Sequence, residues 1–324
     1  MSRKNIYINA SEIATIINKN PYDVLSGFNR IINKFAKENI IQIKETLQVD
    51  NERIKQEIIE IQKLPQNTET IKREKVLVKK QTVLNNNIEN IQKSTTTDQQ
   101  KVEKIIPNYV PDMTFTPAVQ KQELRKEIEK KGIKVEEKLV ENFINKSYGT
   151  KTEDSAIEMY QKKFKVKLDI SQKFYSYPIK GNYNFDYFIG GKMDGIYKEE
   201  YIVEIKNRMR GFFPALKDYE KCQIYTYMLM TGIKSVKLVE RFNDKIKTTN
   251  VSLEESYKNE ILGALDIFVK SLDTFLQSDS INDFLIMNDT QKIKLIHQLY
   301  LNDINEFYNG NVSEDCDSTE CIFE

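Results

Sequence analysis

The sequence contains one histidine, no tryptophan and only three cysteines among its 324 residues, and these scarcities exclude several classes of function. Cys222, Cys316 and Cys321 are too few for a disulfide framework and lack the grouping of zinc ligands. No serine or cysteine stands in a nucleophile-elbow motif. His297 is therefore interpreted as a surface or half-buried helix residue, and a Ser-His-Asp or Cys-His hydrolase is disfavoured.

Long hydrophobic runs are also missing. No segment approaches the roughly 18 apolar residues that a membrane span needs, and residues 1–5 are not followed by an apolar signal region. With so few cysteines, the sequence predicts an intracellular protein that is neither secreted nor membrane-bound. Its expected location is the host cytoplasm, the nucleus or a viral replication site.

Net charge is nearly absent, because 49 lysines and arginines balance 48 aspartates and glutamates. The balance hides an asymmetry. Residues 1–250 hold 45 cationic and 33 acidic side chains, a difference of +12, whereas residues 251–324 hold 4 and 15. A basic body suits a phosphate backbone. The acidic end can suppress nonspecific binding or simply keep the protein soluble, and the sequence does not separate these roles.

Residues 36–120 differ in composition from the rest of the chain and predict an inserted segment. They are rich in Lys, Glu, Gln, Asn and Ile and contain no glycine. Isoleucines at near-helical spacing, without sustained heptads, predict one or two long helices. A disordered patch is expected at 94–97 and a proline-marked linker at 107–117. Because 36–106 lack the apolar content of a core, we expect them to project from it and to be dispensable for folding.

The segments on either side of this insertion have the pattern of an α/β core. Residues 1–35 predict a short extended piece followed by two helices, and form the N-terminal part of that core. Two helices are then predicted over 121–147 and 153–164. Period-two stretches with one intervening helix follow, at 171–179, 184–197, 200–207, 214–231 (the helix) and 234–250.

This order of elements predicts a fold. Helix, three strands, helix and strand over residues 121–250 indicate a central mixed sheet flanked by helices. Residues 251–324 predict an acidic, helical C-terminal extension that ends in a disordered tail.

A predicted hairpin at 190–206 contains the most informative acidic residues. Side chains two apart share one face of a strand, so Glu204 and Lys206 point the same way, and Asp194 lies on the first strand of the hairpin. Two carboxylates that converge from adjacent strands can hold Mg²⁺, which polarises a phosphate and acidifies a water molecule. The pattern also fits a solvated strand face, because Asp-x(7–13)-Glu-x-Lys occurs by chance about once or twice in such a chain.

Four motifs stand in order outside the insertion, at Asn9–Ala14 with Asn20–Tyr22, at Gly132–Glu136, at Met193–Ile196 with Val203–Lys206, and at Gln223–Gly232. Together they resemble the lambda-type exonucleases, also called YqaJ-like viral recombinase nucleases, of the PD-(D/E)xK superfamily. The resemblance covers about residues 4–32 and 125–245. It implies a restriction-endonuclease-like α/β core with an inserted helical arm and a helical C-terminal extension.

The resemblance also implies an activity and partners. The expected reaction is hydrolysis of DNA from an end, with Mg²⁺ as cofactor and Mn²⁺ as a substitute. The expected setting is viral or phage DNA recombination, repair or replication, beside a single-strand annealing or other replication protein. A structure-selective endonuclease on the same fold is one alternative, and a noncatalytic DNA-binding scaffold is another. The intact Asp194, Glu204 and Lys206 argue against the scaffold.

Individual roles follow from the resemblance. Asp194, Glu204 and Lys206 would be catalytic, and the metal ligands would be Asp194, Glu204, Glu136 and Ile205. Helical spacing to apolar neighbours places Glu136 on an inward face, where a carboxylate needs a partner, although a glutamate at the rim is the alternative. The residues that would bind the substrate are Ser11, Lys4, Gln223, Lys192 and Arg208.

Two of these substrate contacts have alternatives, and a third departs from the family pattern. Ser11 would bind the terminal phosphate of DNA, but capping a helix explains a serine there equally well. Lys4 replaces an arginine of the family and binds phosphate only as a point charge. Arg208 begins a basic and aromatic edge that suits a DNA channel, or a solvated strand end above two core phenylalanines.

Overall fold

The computed structural model describes residues 3–112 and 115–314, apart from the side chains of 311–314. The predicted disordered tail lies mostly outside these residues. The strands are β1 Asn5–Asn9, β2 Tyr175–Ile179, β3 Asp186–Gly191, β4 Gly195–Tyr197, β5 Tyr201–Asn207, β6 Ser235–Phe242 and β7 Lys245–Ser252. The helices are α1 Ile13–Ile16, α2 Ser26–Phe35, α3 Lys37–Gln62, α4 Thr68–Thr95, α5 Asp98–Ile105, α6 Pro117–Lys130, α7 Glu137–Phe164, α8 Asp218–Thr231, α9 Glu255–Phe275, α10 Ser280–Ile286, α11 Asp289–Ile296 and α12 Asn302–Glu314.

The strands form two small mixed sheets. In one, β3 pairs in parallel with β1 and antiparallel with β2. In the other, β5 pairs antiparallel with β4 and in parallel with β6, which forms a hairpin with β7. The order of α7, β2 to β5, α8 and β6 confirms the predicted mixed α/β core, in which helices flank mixed sheets. The single central sheet was wrong, because residues 192–194 leave the ladder and divide the predicted strand 184–197 into β3 and β4.

The main core joins the two ends of the described chain. Phe28 of α2 is fully buried. Its ring lies within 6.3 Å of four aromatic rings, those of Phe268, Phe275, Phe284 and Tyr300. The helices after residue 251 are therefore part of the core and not an appended extension, because aromatic contacts of this kind are a large part of a core's stabilisation.

The insertion is helical, as predicted, and its outer part forms an arm. Helices α3 and α4 pack against each other through a small apolar cluster of Ile54, Ile58, Ile61 and Leu77. At the base of the arm, Ile40 and Ile91 are buried in the main core. Removing all of 36–106 would expose that core, so the prediction of a dispensable segment holds at most for the distal part. None of the helices in the described ranges is long and apolar enough to cross a membrane.

The predicted disordered patch at 94–97 is ordered. The Thr97 hydroxyl accepts a hydrogen bond from the Gln100 backbone N–H, and the Gln100 side chain accepts one from the Thr97 backbone. This reciprocal capping box begins α5. A run of threonines is thus a helix boundary here, because hydroxyl side chains satisfy the free N–H groups at a helix start.

The break between α6 and α7 was misplaced by the sequence patterns. Gly132 has a φ of +70° and lies in the break between the two helices, whereas α7 runs through Gly149 without interruption. A left-handed backbone favours glycine, but glycine inside a helix costs only about 1 kcal/mol and need not end it. The predicted bounds 121–147 and 153–164 are therefore wrong, because the break between the two helices lies at 131–136 and not at 148–152.

Candidate active site

The β4–β5 hairpin sets the position of Asp194. Gly195 pairs with Val203 at the last position of the β4–β5 ladder, so Asp194 lies one residue beyond the paired part of the hairpin. The Ile205 backbone N–H donates a hydrogen bond to Asp194 Oδ2 at 2.6 Å. The Asp194 carboxylate is thereby held against β5 at the point where the two sheets separate.

Lys206 connects β5 to α8. Its Nζ donates to Glu204 Oε1 at 2.7 Å and to Gln223 Oε1 at 3.0 Å. The Gln223 amide nitrogen in turn donates to the Tyr227 hydroxyl, one helical turn further along α8. The structure therefore brings Glu204, Lys206 and Gln223 together, from positions that the sequence predicted for two different roles.

A third carboxylate, Glu153 of α7, was missed by the sequence analysis. Its carboxyl group lies close enough to Asp194 and Glu204 to interact with both electrostatically. Its orientation follows from a buried stripe on α7 that packs against Val203 and Ile205, on the side of β5 that Glu204 does not share. The stripe consists of Ala156, Ile157 and Tyr160, at i+3, i+4 and i+7 from Glu153. The predicted helix 153–164 already contains these four residues, so this spacing argument could have found Glu153 from the sequence.

The carboxylates repel one another. Burial, followed by the Glu204 charge, raises the pKa of Asp194 to about 9. Burial and the same charge raise the pKa of Glu153. Burial alone would lower the pKa of Lys206, but the Glu204 carboxylate outweighs it and the pKa is raised. The single positive charge of Lys206 can balance only one of the three carboxylate charges. A bound cation would reduce the repulsion that remains.

The donor set fits a divalent metal ion. Glu204 is 3% exposed, and its Oε2 is buried without a hydrogen-bond partner in the described part of the chain. Hard carboxylate oxygens of this kind suit Mg²⁺. Among residues 3–112 and 115–314, no three His, Cys, Asp or Glu side chains form a ready-made cage, so the fit rests on donor type and on this orphan oxygen. Ile205 has a buried aliphatic side chain, and only its carbonyl oxygen could be a ligand.

Glu136 does not lie in this site. It is exposed at the N-terminal boundary of α7, and Ile133 beside it is 40% exposed. Seventeen residues of helix separate it from Glu153, about 25 Å at 1.5 Å per residue. The prediction of Glu136 as an inward metal ligand is wrong, because it assumed that the helix continued through Gly132.

Arg208 is held by protein carboxylates. Its guanidinium donates to both oxygens of Glu220 at 2.7 and 2.9 Å, and to Glu240 at 2.8 Å. It also stacks on the Phe213 ring, 3.8 Å from the centroid. The Arg208 side chain is only 10% exposed, and its bonds link the end of β5 to α8 and β6. This corrects its prediction as a residue that contacts the substrate.

Ser11 lies near the candidate site. A short 3-10 turn, Ala10–Glu12, follows β1 and contacts β3 and α8. A Cβ on Gly191 would stand 3.2 Å from Ala10 Cβ, so a glycine there lets the turn approach the end of β3 closely. Ser11 is exposed, and its hydroxyl has no hydrogen-bond partner among the described residues. Its interpretation as a helix cap is therefore wrong.

The two predicted lysine contacts differ in position. Lys4 precedes β1, at the end of the strand away from Ser11, and its Nζ donates to the Phe35 carbonyl and stands 4.0 Å from the Phe35 ring centre. At about 3.3 Å per residue, five strand residues put it about 17 Å from the end where the site lies. Lys192 is exposed two residues before Asp194. Of the two lysines, only Lys192 is close enough in the chain to serve this site.

No protein-family model and no curated protein matches the sequence. Several solved structures show partial likeness. An alkaline exonuclease from Laribacter hongkongensis, LHK-Exo, shares 14% identity over 55% of this chain and 87% of its own, with a TM-score of 0.35, and its complex with dAMP gives 0.34. SSO0001 shares 17% identity over 56% and 85%, with a TM-score of 0.33.

Proposed function

We propose that the protein is a Mg²⁺-dependent deoxyribonuclease that degrades DNA from an end. The observation that supports this proposal most is the buried Glu204, whose Oε2 has no hydrogen-bond partner among the described residues and whose other oxygen contacts Lys206. Its charge also helps to raise the pKa of Asp194. A structural ion pair does not need a second, unsatisfied oxygen in a buried position, since such an atom costs stability. The motif resemblance supports a role in viral or phage DNA recombination, repair or replication.

The residues have separable tasks in this proposal. Asp194, Glu204 and Glu153 would hold the metal ion, which when bound supplies positive charge to a phosphate and acidifies a water molecule. Lys206, fixed by Gln223, would orient the attacking water or stabilise the charge that develops on the phosphate. Tyr227 supports Gln223 from the next turn of α8 and so keeps the Lys206 ammonium group in place.

The direct test compares linear and covalently closed circular DNA of the same sequence on a gel. With Mg²⁺ or Mn²⁺, linear DNA should disappear progressively and closed circles should survive, whereas EDTA should stop the reaction. Cleavage of closed circles would support the endonuclease alternative instead. Binding without cleavage of either form, at any metal concentration, would support the scaffold alternative.

A second prediction concerns recognition of the DNA end. The free Ser11 hydroxyl lies on the turn that contacts α8 and the end of β3. If it binds the terminal phosphate, 5′-phosphorylated ends should be degraded faster than 5′-hydroxyl ends. Replacing Ser11 with alanine should reduce that preference by about ten- to hundredfold, the effect of one hydrogen bond to a charged group. Initial rates on the two ends measure it.

Lys4→Ala is the matched control for Ser11→Ala, because Lys4 lies at the far end of β1. It should leave the preference for phosphorylated ends unchanged. Since Ser11 caps no helix, Ser11→Ala should also leave the melting temperature unchanged. Equal rates on both kinds of end in the wild type would reject the phosphate pocket.

A further inference from the structure

The outer face of α4 carries unpaired positive charge. Five cationic side chains within nine residues are all exposed, namely Lys72, Arg73, Lys75, Lys79 and Lys80. None of them forms an ion pair or a side-chain hydrogen bond with the part of the chain that the structure describes. The only acidic residue between 70 and 88 is Glu74, which accepts a hydrogen bond from Gln62 of α3. The positive charge of this face is thus not neutralised locally.

The neighbouring helix differs in charge. Helix α3 has four cationic and six acidic residues, whereas α4 has six cationic and three acidic ones. On α3, Arg53 pairs with Asp50 at 2.8 Å and Lys55 pairs with Glu52. The two helices form one hairpin, yet only α4 concentrates cations that lack partners. Solubility does not explain why the cations are concentrated on α4, because a surface with interspersed charges of both signs keeps a protein equally soluble.

The geometry of the face suits a polyanion. Successive residues turn by about 100°, so the five cations occupy an arc of about 160° and extend about 12 Å along the axis. This length is close to the width of the DNA major groove, about 12 Å. The face also lies beyond the base of the arm, since Lys75 is sixteen residues, about 24 Å of helix, from the buried Ile91. A straight duplex could reach it without entering the core.

A membrane surface is the less suitable partner. Val76 and Val83 are 47% and 57% exposed, and their spacing puts them among the cations. A helix that lies in a bilayer needs its apolar side chains on the face opposite the charges. Short valine side chains between lysines leave the phosphates of DNA accessible to every ammonium group.

We propose that the α4 face formed by these five residues binds the backbone of the DNA duplex, away from the site of cleavage. Contacts of this kind position a duplex without reading its sequence. The inference rests on the proposed function, because it takes DNA as the substrate, but its test does not need cleavage. The arm would hold the uncut duplex while the catalytic residues act at the end.

The test measures binding of a fluorescent 40-base-pair duplex in EDTA, over a range of salt concentrations. A variant with all five residues changed to glutamine keeps helix propensity. Each lost phosphate contact should reduce the slope of log affinity against log salt by about 0.9, so the change should reach about 4.5 if all five side chains contact phosphates. Affinity in about 0.1 M salt should fall by at least about tenfold.

A control variant removes five charges that do not form a face, through the changes Lys162→Gln, Lys180→Gln, Lys234→Gln, Lys245→Gln and Lys294→Gln. These lysines are exposed and dispersed, so the slope should change by less than about one. An unchanged slope in the α4 variant, or an equal change in both variants, would overturn the proposal. Loss of binding to phosphatidylserine vesicles with DNA binding intact would overturn it in favour of a membrane.

The two proposals fail in different ways. If the wild type binds DNA through α4 but never cleaves it with Mg²⁺ or Mn²⁺, the nuclease proposal is wrong and the α4 surface stands. If the α4 variant degrades 40-base-pair DNA at the wild-type rate and keeps the wild-type salt slope, the nuclease proposal stands and the α4 surface is wrong.

Discussion

Replacing Glu204 with glutamine, or Lys206 with alanine, is expected to lower the rate of DNA cleavage by about a hundred- to a thousandfold. Glutamine removes the negative charge that would hold the metal ion, and alanine removes the ammonium group that would stabilise the phosphate. Losses of this size are typical when one preorganised electrostatic group is removed from an active site. Single-turnover cleavage of end-labelled DNA measures the rate, and fluorescence anisotropy should show that DNA affinity changes little.

Two nearby variants provide controls for Glu204→Gln and Lys206→Ala. Glu200 lies in the exposed turn of the same hairpin, and Lys234 is exposed just before β6. Glu200→Gln and Lys234→Ala make the same chemical changes outside the site and should cleave at the wild-type rate. Melting curves identify any loss of folding, which matters most for Lys206→Ala because it leaves Glu204 buried without its partner. Cleavage at the wild-type rate in both site variants would mean that the active site is elsewhere.

The second large effect is expected at Glu153. Glu153→Gln should slow cleavage by about ten- to hundredfold and raise the Mn²⁺ concentration needed for half of the maximal rate. The reason is that Glu153 interacts electrostatically with Asp194 and would share the cation with it. Changes to groups that tune a metal site typically have effects of this magnitude. A titration of the cleavage rate against Mn²⁺ separates the loss of metal affinity from the loss of rate.

Glu136→Gln is the matched control, since it makes the same change in the same helical region. It should leave both the rate and the Mn²⁺ requirement unchanged, because Glu136 is exposed about 25 Å away along the helix. The opposite result, with a defect in Glu136→Gln and none in Glu153→Gln, would restore the sequence-based ligand and reject the arrangement described above.

The hairpin part of the candidate site was predictable from sequence for a simple reason. Asp194, Glu204 and Lys206 lie within thirteen residues, and the period-two geometry of paired strands fixes their relative positions. Local patterns suffice when neighbours in space are also neighbours in the chain. The helical arm was predictable on the same basis, since α3 and α4 follow from local spacing alone.

The sequence-based errors concern residues whose neighbours in space are distant in the chain. Glu153 was missed because it lies 41 residues before Asp194. Spacing within a helix shows which residues share a face, but not which strand residues that face meets. Arg208 was misjudged because its partners Glu220 and Glu240 are twelve and thirty-two residues away. The local sequence around an arginine does not show whether its side chain is free in solvent or held by distant carboxylates, and only the fold distinguishes the two cases.

The closure of the core by both ends of the described chain has a consequence for synthesis of the protein. Tyr308 donates a hydrogen bond to the Ile17 carbonyl at 2.7 Å, across 291 residues, and Phe28 needs the aromatic rings of α9 and α10. Contacts this distant in sequence cannot form until the last helices have left the ribosome. Every acidic and basic side chain assigned to the candidate site is synthesised before residue 210, and the turn that carries Ser11 contacts β3 and α8, which are complete by residue 231. The burial of Phe28 is therefore the step that waits for the last helices.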